Sequence, residues 1–141
     1  MSDTEFKERQ KPETLRLRKI MPSMTVDDLE ASIAWYTDVL GCALGERHEH
    51  EGRLVAASLE AGATTFLLGQ DDWAQGRDRK KGVGFRLYCL TGQDIDQVAA
   101  DIRARGGTLV SEPTDQPWGV RDFAVEDPDG FKITISTDSS G

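Results

Sequence analysis

Apolar and polar positions alternate through the last stretch of the chain, "VEDPDGFKITIS" from Val125 to Ser136. Phe131, Ile133 and Ile135 fall on one side and Lys132, Thr134 and Ser136 on the other, because side chains of a strand alternate with a period of two. Pro128 and Gly130 punctuate the pattern, so the stretch reads as paired strands joined by a tight turn. One side meets a core, which leaves the other to water, a metal or a ligand. Elsewhere the period lengthens. Leu29, Ile33, Tyr36 and Leu40 recur at helical spacing, with Asp27 or Asp28 to cap the start and Gly41 to stop the end. Ile95, Val98, Ala99 and Ile102 mark another helix, opened by "TGQD" and closed by Gly106 and Gly107.

Strand-like segments surround both helices. "LRLRKIMPSMTV" precedes the first, and "LGERHEHE", "RLVAASLE" and "TTFLLG" follow it; "GFRLYCL" precedes the second, and "TLVSEP", "VRDFAVE" and "FKITIS" follow it. The order is therefore β-α-β-β-β, repeated. "LEAGATTFLL" and "VEDPDGFKITI" match in detail, each leaving a strand through an acidic residue, turning at Gly and resuming with alternating apolar positions. The pattern predicts one domain over about 15–137, with modules at about 15–69 and 83–137, a linker at about 70–82, and tails at 1–14 and 138–141.

Charge narrows the partners. A net charge of −8, from 25 acidic and 17 basic residues, opposes a nucleic-acid partner, since phosphate contacts need clustered cations. The basic run "RDRKK", Arg77 to Lys81, reads as a solvated loop. No apolar run is long enough for a membrane span, and the N-terminus has no apolar export segment, so the expectation is a cytoplasmic protein. Cys42 and Cys89 lack zinc-knuckle or CxxC spacing and read as reduced packing thiols; Cys89 is a candidate nucleophile only if its strand borders a cavity.

The segments "TVDDLEASIAWYTDVLGCAL", "DIDQVAADIRARGG" and "DFAVEDPDGFKITI", in this order, resemble the vicinal oxygen chelate superfamily, which includes glyoxalase I, extradiol dioxygenases and bleomycin-resistance proteins. The resemblance spans about Leu17 to Thr137. It implies an α+β fold in which tandem βαβββ modules form a cup-shaped mixed sheet, with Thr134 inside the cup and Phe131, Ile133 and Ile135 against the helices. Metal-dependent relatives supply His, Gln or Glu from the first and last strand of each module. Those positions fall here on Met21, Leu67, Phe85 and Thr134, a set that cannot replace the hydration shell of a divalent ion, so no metal and no cofactor are expected. Homodimers, sometimes with exchanged modules, are common among such relatives.

Other residues carry competing readings. His48 and His50, two apart on a strand, would share a face as metal donors; a charged, solvated hairpin end is the favoured reading. Trp118 in "DQPWGVRDF" is either a hydrophobic lid or an indole wall for a planar ligand. Trp73 closes the cup or packs at a subunit interface, and Arg121 with Asp122 forms either a charged handle or a cross-strand ion pair. Glu60 and Glu126 solvate turns.

The expected function is thus metal-free binding of a small aromatic or amphipathic compound, lined by Met21, Leu67, Phe85, Leu87 and Trp118 and oriented by Thr134 and Arg121. Overall acidity favours a cationic ligand over an anionic one. The alternative is a glyoxalase-like lyase or a dioxygenase whose metal ligands have moved, with His48 and His50 as donors. A homodimer is expected, with no nucleic-acid or membrane partner.

Overall fold

Each apolar alternation resolves into a strand and each helical period into a helix in the computed structural model, which describes residues 14–138. The order is β1 (Ser23–Val26), α1 (Leu29–Ala34) continuing as a π-helix (Trp35–Leu40), β2 (Ala43–His50), β3 (Arg53–Ala61), β4 (Thr64–Gln70), β5 (Arg86–Thr91), α2 (Ile95–Ala104), β6 (Leu109–Asp115), β7 (Arg121–Glu126) and β8 (Lys132–Thr137). Apart from Thr14 and Asp138, the expected tails lie outside the described residues.

The repeat is visible in the pairing. One four-stranded sheet has the order β1-β4-β3-β2 and the other β5-β8-β7-β6, with β1 parallel to β4, β5 parallel to β8, and antiparallel neighbours elsewhere. The fold is α+β with mixed sheets. The leading strand is shorter than its apolar pattern: Leu15, Leu17 and Ile20 are exposed and β1 begins only after Pro22, which has no N–H to donate to a ladder.

Side-chain caps set the helix starts. Asp28 accepts from the Ala31 N–H and Asp94 from the Gln97 N–H, each satisfying a donor that the first turn leaves unpaired. The first helix does not stay α-helical. Its second half widens to π, and Gly41, at φ +100, ends it with its own N–H and that of Cys42 both donated to the Tyr36 carbonyl.

The helices cover one face of each sheet, and both sheets share a single core. Met24, Val26, Leu59, Phe66 and Leu68 reach it from the first sheet, Leu87, Phe123, Val125 and Ile133 from the second, and Leu29, Ile33, Tyr36, Ile95, Ala99 and Ile102 from the helices. Burial of such side chains stabilises the fold by roughly 1.5–3 kcal/mol each, as an upper estimate. Polar links lock the modules together. Arg105 donates from Nε to the Val39 carbonyl (2.9 Å) and from Nη2 to the Leu40 carbonyl (3.1 Å), placing a cation at the end of the first helix where carbonyls lack partners.

Candidate functional site

The opposite, helix-free face of each sheet is available for ligand. On the first sheet it carries Ser23 and Thr25 of β1, Leu67 and Gly69 of β4, and Ala56 and Ser58 of β3, as the cross-strand register dictates. On the second, Tyr88 of β5, Thr134 of β8 and Ala124 of β7 stand side by side, flanked by Arg86 beside Lys132 and by Leu90 beside Ser136 and Asp122. Thr134, Ser136, Asp122 and Ala124 are buried although no helix covers them. Longer side chains bend across the small ones: Arg86 Nη1 donates to Thr134 Oγ1 at 2.6 Å, Tyr88 Oη donates to Ser136 Oγ at 3.3 Å, and Gln116 Nε2 donates to Asp122 Oδ1 at 2.8 Å. The floor of this face is therefore polar and satisfied.

This register revises the expected lining set. Leu87 points into the core at 8% exposure, because Tyr88, not Leu87, stands opposite Thr134. A one-residue phase change moves every β5 side chain to the other face. Arg86, Tyr88 and Leu90 replace Leu87 on the helix-free side. The signal was present in Arg86: alternation required one phase to put a guanidinium in the core without a carboxylate, which burial penalises heavily. Arg121 also leaves the site. It shares the phase of core Phe123, two residues on, and its guanidinium pairs with Asp96 of α2 at 2.9 Å and with Asp115 of β6 at 3.1 Å.

The remaining candidates are scattered. Phe85 precedes β5, is 44% exposed and meets Phe131 edge-on with ring centroids 6.1 Å apart. Met21, two residues ahead of β1, is 46% exposed, and Leu67 is half-buried in β4. Trp118 projects from the turn before β7, where the Gly119 N–H donates to the Gln116 carbonyl, and is 62% exposed. Phe85, Arg86 and Lys132, with Gly82 and Gly84, line a recess of about 290 Å³.

His48 and His50 lie two apart within β2, the spacing that puts both on one face. A bulge on β3 leaves Val55 unpaired, so that His48 stands opposite Ala56, Glu49 opposite Leu54 and His50 opposite Arg53. Both imidazoles are exposed, beside Glu46 and Glu51 respectively. Among the described residues no cluster of three or more His, Cys, Asp or Glu side chains could hold a metal ion. The cysteines turn toward the core. Burial pushes the Cys42 thiol up to about 11 and raises that of Cys89, which suppresses the thiolate needed for nucleophilic attack at neutral pH.

Trp73 anchors the linker. Its backbone adopts φ +63, its N–H donates to Asp71 Oδ1 at 2.8 Å, and Arg77 and Lys81 sit 4.4 and 5.2 Å from its ring centroid. Lys81 also bridges Asp71 (2.9 Å) and Asp27 (2.5 Å), tying the linker to the start of α1.

A family model described as the Glyoxalase/Bleomycin resistance protein/Dioxygenase superfamily matches residues 16–135. A probable lactoylglutathione lyase of Synechocystis sp. is 33% identical over 82% of this chain and 91% of its own length. Lactoylglutathione lyase of Neisseria meningitidis is 29% identical over 89% of this chain and 94% of its own. Among solved structures, TioX from Micromonospora sp. ML1 superposes with a TM-score of 0.70 at 20% identity, covering 85% of this chain and 98% of that one. A glyoxalase/bleomycin resistance protein/dioxygenase from Nocardioides reaches 0.70 at 24% identity, covering 98% of this chain and 95% of that one.

Proposed function

Since the chain belongs to the Glyoxalase/Bleomycin resistance protein/Dioxygenase superfamily, we propose that it is a metal-free small-molecule-binding protein that holds an aromatic or amphipathic compound against its helix-free sheet faces. One contact carries this reading: the Arg86 guanidinium donates to Thr134 Oγ1 at 2.6 Å. Thr134 is the only oxygen donor among the side chains at the positions that the family's metal-dependent members use, here Met21, Leu67, Phe85 and Thr134. Its lone pair faces a cation of the protein, and a divalent ion placed there would meet like charge, a thioether and hydrocarbon. The donor set does not fit a metal. Met21, Leu67, Phe85, Tyr88 and Trp118 offer the partly exposed apolar and aromatic surface that a ligand would cover.

The second reading, a lactoylglutathione lyase, draws on the relatives of that name at about 30% identity. It needs a metal site or acid–base pair outside these positions. The deciding measurement is the metal content of untagged protein, together with assay for lactoylglutathione formation. Substoichiometric metal, no turnover and a small molecule retained in native mass spectrometry are the expected results; stoichiometric metal with turnover overturns the binding-protein reading.

A cytoplasmic homodimer belongs to the same proposal. Tyr88 and Leu90 are 50% and 58% exposed on the helix-free face, and a second copy would complete the cup by closing over that face with the ligand held between. Sedimentation at micromolar concentration should give twice the monomer mass, and a monomer alone rules the dimer out.

A further inference from the structure

We infer that the recess beside Arg86 and Lys132 is an oxyanion site, which takes the carboxylate or phosphate group of the ligand while its aromatic or apolar body lies along Tyr88 and Leu90. This rests on the small-molecule-binding reading and names the class of ligand. Arg86 and Lys132 are directly paired across the parallel β5–β8 ladder. Like charges opposite one another destabilise a sheet unless something neutralises them. The protein supplies little. Arg86 makes no salt bridge among the described residues, and Lys132 Nζ stands 3.8 Å from Glu126 Oε1, beyond hydrogen-bond reach. Two cations against one loosely placed carboxylate leave the recess locally positive in a chain of net charge −8.

The geometry suits an oxyanion. Thr134 engages one donor of the Arg86 fork, which steadies the guanidinium plane and leaves its other N–H groups free for a planar or tetrahedral anion. Gly84 sits at φ +72, and a Cβ there would meet nothing within 4 Å, so the recess stays open above it. Gly82 does the opposite work: a Cβ would lie 2.2 Å from the Gly130 carbonyl oxygen, so the end of the linker seats directly on the β7–β8 turn and fixes that wall. Phe85 adds an aromatic wall, braced edge-on by Phe131. An anionic head is thus recognised where the overall charge would have favoured a cation.

The test uses probes with one ring system: 2-naphthoate, 2-naphthyl phosphate, 2-naphthamide and 2-naphthylmethylammonium, titrated calorimetrically into the full chain at low salt. At least one oxyanion should bind about tenfold tighter than the neutral amide, and the ammonium no tighter than the amide. The naphthoate and phosphate arms tell carboxylate from phosphate. Arg86→Gln, which keeps an amide donor for Thr134, and Lys132→Gln should each shrink the preference, and together abolish it; Glu126→Gln should enlarge it. Added salt should weaken the oxyanion but not the amide. Equal affinity for oxyanion and amide overturns the anion site while leaving the binding-protein reading intact. A preference for the ammonium, a preference surviving in the folded double variant, or no binding of any probe also overturns it. The metal and turnover assays judge the underlying reading separately.

Discussion

The Tyr36 hydroxyl donates to Oδ2 of Asp127 at 2.7 Å, joining the π-helical half of the first module's helix to the turn that precedes β8 in the second. Both groups are buried, and Asp127 Oδ1 also accepts from the N–H groups of Asp129 (2.9 Å) and Phe131 (2.8 Å). The turn's own carboxylate thus serves as a cross-module acceptor. Tyr36→Phe leaves Asp127 with one donor fewer in a desolvated position, and should lower stability by about 1–3 kcal/mol in urea denaturation at neutral pH. A loss below the error of the measurement would show that the link is spare.

The same phenol sets an alkaline limit. Burial, followed by the charge of Asp127, holds the Tyr36 pKa far above its ordinary value. A raised folded pKa means that stability is complete below the unfolded value of about 10 and falls as pH rises beyond it, since the unfolded chain ionises first, by up to about 1.4 kcal/mol per pH unit. Cys42 acts in the same sense between 9.0 and about 11. Stability measured across this range should fall, and Tyr36→Phe should flatten the part above about pH 10.

Leu87 and Tyr88 are adjacent in sequence and opposite in role. Leu87→Ala opens a gap in the shared core and should cost about 2–5 kcal/mol without altering probe affinity per folded molecule. Tyr88→Ala removes a half-exposed ring and should change stability little while weakening naphthoate binding. The reverse pattern, read by denaturation and calorimetry, would restore the other strand phase.

Gly107 is confined by packing: a Cβ there would lie 2.6 Å from Ile102 Cγ2 and 2.8 Å from Val39 Cγ1. Gly107→Ala should therefore destabilise by about 1–3 kcal/mol through overpacking between the helices, visible as a lower thermal midpoint. An unchanged midpoint would mean that the contact gives way freely.

Trp118, 62% exposed, contributes little to the core. Trp118→Ala should keep stability within about 0.5 kcal/mol of the parent and raise the dissociation constant of 2-naphthoate if the indole walls the site. Unchanged affinity would assign the ring to another surface.

Much of this was legible from the residues in order. Periods of two and near four, the caps at Asp28 and Asp94, the stops at Gly41 and Gly106, and the likeness between the β3–β4 and β7–β8 turns define the elements and their repetition, because such signals act within a few residues of one another. The absence of ligand chemistry at Met21, Leu67 and Phe85 is likewise a property of side-chain type. Register was not legible. Whether β5 offers Leu87 or Tyr88 to the helix-free face depends on which residue lies across from Thr134, and the bulge at Val55 is defined only by the pairing of β3 with β2. Arg121 meets Asp96, Tyr36 meets Asp127 and Lys81 meets Asp27 across 25, 91 and 54 residues. Local preferences specify which face a side chain takes relative to its neighbours in the chain; only the packing of distant strands decides which of those faces becomes core and which stays open to a ligand.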